Sequence, residues 1–238
     1  MQPPVVELTG VERTYFVGGT TIVALKSIDL TIGRGEFVAI MGPSGSGKST
    51  LLNILGCLDR PTAGSYRIAG ENTAELDLAA LARLRNRRIG FCFQSFNLLP
   101  RATAVENVSL PLVYAGVPRR RRLELARATL REVGLGERLE HRSTQLSGGQ
   151  QQRVAIARAL VTEPDILLAD EPTGTLDSRT GEEVMALLTR LHEDGRTIIL
   201  VTHDANIAAH AQRTVRVRDG VIESDSRIFQ PLPARNAA

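Results

Sequence analysis

The sequence is poor in cysteine, nearly devoid of lysine and without any long apolar run, and each shortage narrows what the chain can do. Its two cysteines, Cys57 and Cys92, show no framework spacing and adjoin no histidine or carboxylate cluster. That excludes a disulfide scaffold and a cysteine metal site, and it fits a reducing compartment. No stretch approaches the roughly 18 consecutive apolar residues of a membrane span. The opening Met1-Gln2-Pro3-Pro4 lacks the charged and apolar regions of a signal peptide. A soluble, cytosolic chain is expected, so that if it serves a membrane another polypeptide crosses it. Excess charge is scarce too: +3 at pH 7 is far from the basic stripe of a nucleic-acid binder. Of 29 basic residues only Lys26 and Lys48 are lysines.

What remains is ample for a folded domain. The 238 residues, 42% of them hydrophobic, suffice for one α/β unit with a substantial core. Runs rich in β-branched residues predict strands at 5–8, 21–25, 27–32 and 37–41, with a short one at 64–68. Helices are expected at 49–55 and 76–88, then a buried strand at 89–93 that ends at Gln94. From 105 to 139 the pattern is helical, with Leu123, Ala126, Leu130 and Val133 recurring at helical spacing. α/β alternation then returns as strand 166–169, helix 179–193, strand 197–201 and helix 204–211. Strands at 214–217 and 221–224 flank Asp219-Gly220, a hairpin signal. There is no internal repeat. The expectation is a single domain over 1–230 with a helical insert at about 95–162, and a loose tail at 231–238.

Two segments carry phosphate-binding chemistry. Gly42, Pro43, Ser44, Gly45, Ser46, Gly47, Lys48, Ser49 and Thr50 form a complete P-loop between an apolar strand and a helix. In such a loop backbone N–H groups curl round phosphate oxygens, and the helix points its positive end at them. Lys48 is assigned to the β- and γ-phosphates and the Ser49 hydroxyl to Mg²⁺. Ser147, Gly148, Gly149 and Gln150 are small or polar residues just ahead of a helix expected at 151–161, a second anion-binding helix N-terminus. One nucleotide needs one cradle; a second suggests that two copies of the chain share their nucleotides.

Acidic and neutral side chains at strand ends complete the chemistry. Asp170 closes an apolar strand where it can hold the magnesium shell, and the adjacent Glu171 can polarise an attacking water as general base. His203 follows another strand, at the carboxyl edge of an open α/β sheet where ligands collect. There it can contact the γ-phosphate or orient the water. Gln94 ends its strand in the same manner and, being neutral, can contact magnesium and water without adding charge. Tyr15, one of three tyrosines, offers a ring that either stacks on adenine or simply packs.

In this order the motifs resemble those of an ABC-transporter ATPase subunit, over about residues 5–225. The most specific is Leu146-Ser-Gly-Gly-Gln150 followed by Gln-Gln-Arg-Val-Ala-Ile-Ala-Arg-Ala-Leu160. Finer details resemble the lipoprotein-release and macrolide-export (LolD/MacB-type) branch: Asn86 to Pro100, Glu106-Asn-Val, Leu110 to Gly116 and Ala169 to Gly174. The resemblance implies a P-loop NTPase core with an N-terminal antiparallel β subdomain and an inserted α-helical subdomain. It makes Tyr15 the adenine-stacking residue, Gln94 the transmission residue and His203 the switch histidine. Ser49, Gln94 and Asp170 would hold Mg²⁺. Ser147 to Gln150 would cap the γ-phosphate bound by the opposite subunit, and Thr175-Leu-Asp177 would link the two sites. Family members often carry Ala or Asn where this chain has Thr175. The cofactors implied are ATP and Mg²⁺; the partners are a second copy of the chain and a separate integral membrane permease. The place implied is the cytoplasmic face of the inner or plasma membrane.

The reading that follows is an active ATPase whose head-to-tail dimer drives export or substrate extraction, with no nucleic-acid partner expected. The alternatives are a soluble ABC ATPase acting on nucleic acid or the ribosome, and an importer ATPase. The first usually joins two cassettes or carries coiled-coil or zinc-bearing inserts, which this chain lacks. Phe96, Leu98 and Leu99, just after Gln94, are expected either to receive a short helix of the membrane subunit or to pin the helical insert to the core.

Overall fold

The computed structural model describes residues 3–227, so the tail expected at 231–238 lies outside the described residues. Strands β1 (Val6–Val17) and β2 (Thr20–Ile32) form an antiparallel pair joined at Gly18 and Gly19, both at positive φ. β4 (Ala63–Ile68) pairs with the other edge of β1, and β5 (Glu71–Asn72) pairs with β4. Two sequence expectations change here. The strands at 21–25 and 27–32 are one strand, interrupted by a register shift around Ser27, whose φ is 52°. β1 runs well beyond 5–8, because the kink at Gly10 (φ 55°) hides from a simple alternation count the resumption of pairing after it.

The central sheet has the order β10-β9-β3-β8-β7-β6. β3 (Phe37–Met41), β6 (Ile89–Cys92), β7 (Ile166–Asp170), β8 (Ile198–Val201) and β9 (Arg213–Arg218) run parallel. β10 (Val221–Arg227) returns antiparallel through Asp219-Gly220, as the turn signal predicts. Parallel strands are covered on both faces and so read as continuous apolar runs. Phe37, Ala39 and Met41 of β3 belong to one buried cluster, Val38 and Ile40 to the other. The sheet is thus a wall between two cores: the antiparallel sheet with α1 (Lys48–Leu55) on one side, and the larger helices on the other.

Those helices resolve the long helical pattern into pieces. On the α1 side instead, α2 (Leu78–Arg88) buries Leu81 and Leu84, leads into β6 and is capped by Asp77, whose carboxylate accepts from the Ala80 N–H at 2.6 Å. α3 (Ala104–Tyr114) starts with a capping box between Thr103 and Glu106, and Gly116 (φ 72°) and Pro118 separate it from α4 (Arg119–Glu132). α5 (Gly148–Leu160) packs against both. α6 (Ser178–Glu193) precedes β8, and α7 is only Ala205–Ala208 where 204–211 was expected. α5 also begins three residues before the expected 151. Gly148 and Gly149 are poor helix formers, but Ser147 and Gln150 form a capping box that offsets their propensity.

Candidate active site

The P-loop is a turn that favours glycine at three points. Gly42, Gly45 and Gly47 all have positive φ, at 156°, 78° and 105°. A Cβ on Gly42 would collide with the Val217 carbonyl of β9, and one on Gly47 would sit 2.7 Å from the Ala24 carbonyl of β2. The loop is therefore pressed between the β9–β10 hairpin and β2. The hairpin fastens it: the Gly220 N–H donates to Ser46 O at 2.9 Å, and the Lys26 N–H donates to Gly220 O at 2.7 Å. Lys48 opens α1, and its Nζ donates to the carbonyls of Gly42 (2.7 Å) and Pro43 (2.8 Å).

Next along the sheet edge come the acids. Burial pushes the Asp170 carboxyl up, the Glu171 charge adds to this, and Lys48 opposes it. Glu171 sits in a left-handed conformation, φ 44°, with its N–H bonded to Val201 O at 2.9 Å. Its Oε1 lies 2.6 Å from His203 Nδ1 and accepts from the His203 N–H at 3.1 Å, while Thr202 donates to Oε2 at 3.3 Å. The bond to Glu171 and its charge hold the exposed His203 imidazole protonated to a higher pH than usual.

These groups share one cavity of about 860 Å³. Ser44, Gly45, Gly47, Lys48, Ser49 and Thr50 line it together with Gln94, Asp170, Glu171 and His203. Gly42, Pro43 and Ser46 do not line it; they form the loop from behind. Ile22, Val23, Lys26, Asp219 and Gly220 also line it and escaped sequence reasoning. For Lys26 a signal existed: it is the only lysine besides Lys48.

Three groups of expected site residues stand outside that cavity. Tyr15 is on β1, its hydroxyl donating to Asp59 Oδ2 at 2.7 Å. Asp177 is the N-cap of α6, and bonds from the Thr180 hydroxyl (2.6 Å) and N–H (3.1 Å) hold its carboxyl below the usual range. Ser147, Gly148, Gly149 and Gln150 are the cap and first turn of α5. They pack beside Leu176 and Thr180, a Cβ on Gly149 colliding with the Thr180 side chain. From the same helix Gln152, fully buried, donates to Pro172 O at 2.7 Å and so ties α5 to the segment after Glu171.

The segment after Gln94 is also less simple than expected. Leu98 packs against the core, Leu99 is half-exposed, and Phe96 and Asn97 are both left-handed, with φ 57° and 50°. Arg158 of α5 donates to both their carbonyls, to Phe96 O at 2.8 Å. Of this segment only Asn97 lines the apolar groove nearby, about 690 Å³ between β6 and α3. Leu58, Phe91, Phe93, Leu110, Pro111 and Tyr114 supply its apolar walls.

Comparison with known proteins agrees with this geometry. Residues 25–174 match the ABC transporter family. The chain is 53% identical over its whole length to the macrolide export ATP-binding/permease protein MacB of Shewanella sp. (strain ANA-3), covering 36% of that protein. It thus spans about a third of the length of such curated relatives. It is 55% identical over 223 residues to an uncharacterized ABC transporter ATP-binding protein of Thermotoga maritima, covering 95% of it. A bacterial ABC transporter cassette solved as a dimer superposes with a TM-score of 0.85 at 49% identity, over 94% of this chain and 99% of that one. The same cassette is known as a post-hydrolysis dimer bound to ADP and Pi, with the same TM-score and identity. With the P-loop, the strand-end acids and the capped Ser147–Gln150 turn all in place, the chain belongs to the ABC transporter family as an ATP-binding cassette.

Proposed function

We propose that the chain is the ATPase engine of a membrane transporter. Two copies close head-to-tail on two ATP molecules, and closure and reopening drive a membrane-spanning permease engaged in export or extraction. The observation that carries this reading is the convergence of Lys48, Asp170, Glu171 and His203 on one cavity at the carboxyl edge of the parallel sheet. Lys48, resting on two loop carbonyls, exchanges those bonds for β- and γ-phosphate oxygens when a nucleotide enters. Glu171 accepts the proton of the attacking water. His203, bonded to it, holds its carboxylate in place and faces the same cavity. Tyr15 provides the surface on which the base stacks, and Asp177 joins the two sites of the dimer.

Ser49, Gln94 and Asp170 fit a magnesium ion: hydroxyl, amide carbonyl and carboxylate are hard oxygen donors, and all three line the cavity. The Asp170 carboxylate, whose charged form burial disfavours, is stabilised beside a cation. Bound there, magnesium supplies charge neutralisation at the phosphate oxygens.

The second cradle supports the dimer. Ser147 to Gln150 lie outside the chain's own phosphate cavity, so they cap a nucleotide only if it belongs to another copy, as two-fold symmetry allows. The dimeric cassette at 49% identity supports the same arrangement. The permease docks in the groove of Phe91, Phe93 and Tyr114, where Asn97 lies three residues beyond Gln94. No helix among the described residues is long and apolar enough to cross a membrane. On this reading the cassette sits at the cytoplasmic membrane face, held there by the permease.

The test is Glu171→Gln. It should bind ATP normally, lose turnover by roughly 10²–10⁴ and elute as a dimer with Mg-ATP in size-exclusion chromatography. A monomer peak that ATP leaves unmoved would refute the shared-nucleotide arrangement.

A further inference from the structure

We propose that Asp59 and Arg13 are positioning residues that hold the Tyr15 ring as the base-stacking surface, anchoring it to the far end of the P-loop helix. The inference rests on the ATP reading above and concerns residues which that reading leaves without a role. β1 places Tyr15 directly opposite Ile22 of β2. Opposed residues of an antiparallel pair project to the same face, with Cβ atoms about 4.5–5.5 Å apart. Ile22 lines the phosphate cavity, so the half-buried Tyr15 stands one strand out from the cavity wall.

Three contacts form a closed triangle around the ring. The Tyr15 hydroxyl donates to Asp59 Oδ2 at 2.7 Å. The Arg13 guanidinium carbon lies 4.5 Å from the ring centroid, within cation–π range. Arg13 Nη2 reaches Asp59 Oδ1 at 2.8 Å and completes the triangle, with both side chains about four-fifths shielded at 21% and 23% exposure. Such shielding gives charged contacts more weight than surface pairs have.

Asp59 is itself fixed. Its N–H donates to Asn53 O at 3.2 Å, as does that of Leu58 at 2.8 Å, and its Oδ1 also accepts from the Arg60 N–H at 2.8 Å. Asn53 belongs to α1, whose first residue is Lys48. One helix thus carries the phosphate-binding lysine at its start and, just past its end, the carboxylate that orients the ring. A ring already held in one rotamer loses less freedom when a base stacks on it, so the triangle raises affinity by preorganisation.

The reporter is a ligand with phosphates and no base. Binding of ATP and of inorganic tripolyphosphate is measured by calorimetry on the full chain, wild type against Asp59→Ala, Tyr15→Phe and the double variant. Asp59→Ala should weaken ATP roughly three- to tenfold and leave tripolyphosphate unchanged. In turnover, KM should rise with kcat unchanged. Tyr15→Phe keeps the ring and cuts only its tether, so it should reproduce the loss even if Asp59→Ala folds poorly. Because both changes cut one bond, the double variant should lose less than the product of the two single losses. The proposal fails if both single variants bind ATP as wild type does, if tripolyphosphate weakens in parallel, or if the single losses multiply. Lys48→Ala is the separate control: if it binds both ligands as wild type does, it is the P-loop assignment that fails.

Discussion

At the scale of single residues the site is a set of side chains held ready by bonds that a nucleotide would exchange. Lys48 makes two bonds to P-loop carbonyls, and its charge stands beside a cavity that also holds Asp170 and Glu171. Lys48→Ala removes the point charge that the proposed function assigns to the β- and γ-phosphates. It should lower ATP affinity by about 2–3 kcal/mol, or roughly 30–150-fold, measurable by calorimetry, with the fold intact. Ser147 acts elsewhere. Its hydroxyl accepts from the Gln150 N–H at 3.3 Å, and the Gln150 side chain accepts from the Ser147 N–H at 3.1 Å. Ser147→Arg puts a bulky cation where a partner's γ-phosphate would sit. In the Glu171→Gln background it should abolish the ATP-dependent dimer and leave monomer ATP binding within about twofold. Loss of nucleotide binding by the monomer would place this turn in the chain's own site.

At the scale of elements, charged side chains tie together segments that lie far apart in sequence. Asp165, just before β7, binds Arg34 of the β2–β3 turn and, at 2.8 Å, Arg88 at the end of α2. Its burial opposes the charge, but the bonds and charges of Arg34 and Arg88 outweigh it and hold the carboxyl below its ordinary value of 3.8. A depressed folded-state value means stability that is complete above the unfolded value and is lost as pH falls through the folded one. Asp165→Asn should therefore lower Tm at pH 7 by about 4–8 °C, for a loss of about 2 kcal/mol. Below the wild-type transition the two proteins should converge. A difference that persists unchanged at low pH would mean that packing, not the ion pair, holds these elements. Arg213 of β9 plays a similar part, joining Asp225 of β10 at 2.6 Å and Glu36 at 2.8 Å, and thus steadying the hairpin that clasps the P-loop.

At the scale of the molecule, α5 ties together the Ser147–Gln150 turn, the segment after Glu171 and the segment after Gln94. Its first turn carries Ser147–Gln150, Gln152 bonds the segment beyond Glu171, and Arg158 holds the left-handed carbonyls of Phe96 and Asn97 beside the groove. On the proposed docking, α5 is the element that joins the groove to the segment after Glu171. Tyr114, 82% exposed at the groove's rim, is the place to probe this. Tyr114→Asp should change stability by no more than about 0.5 kcal/mol and leave basal ATPase intact. If the proposed docking holds, it should also abolish co-purification with the proposed permease and any stimulation of turnover by it. Retention of both would move the docking surface away from the groove. Leu98→Asp is the contrasting variant, expected to destabilise the insert because Leu98 packs against the core.

Much of this protein was legible from residue order, because its chemistry is carried by contiguous motifs whose backbone geometry is local. The P-loop favours glycine at three left-handed positions within six residues, and the strand before it and the helix after it are equally local. Asp170, Glu171, Gln94 and His203 were readable because parallel strands show as apolar runs and their carboxyl ends mark one edge. The turn at Asp219-Gly220 announced its hairpin by the same short-range logic. What only the tertiary structure decided depends on residues distant in sequence. That Lys26 and the hairpin wall the phosphate cavity follows from β2 and β9 clasping the P-loop. That Tyr15 is held by Asp59, 44 residues on, follows from β1 lying beside the loop after α1. That Leu98 packs against the core while Phe91 and Tyr114 line the groove follows from where α5 comes to rest against β6 and α3 against α5. Local sequence specifies backbone conformation and chemical type; which side chains become neighbours is set by the long-range packing of sheets and helices, and no short window of sequence contains it.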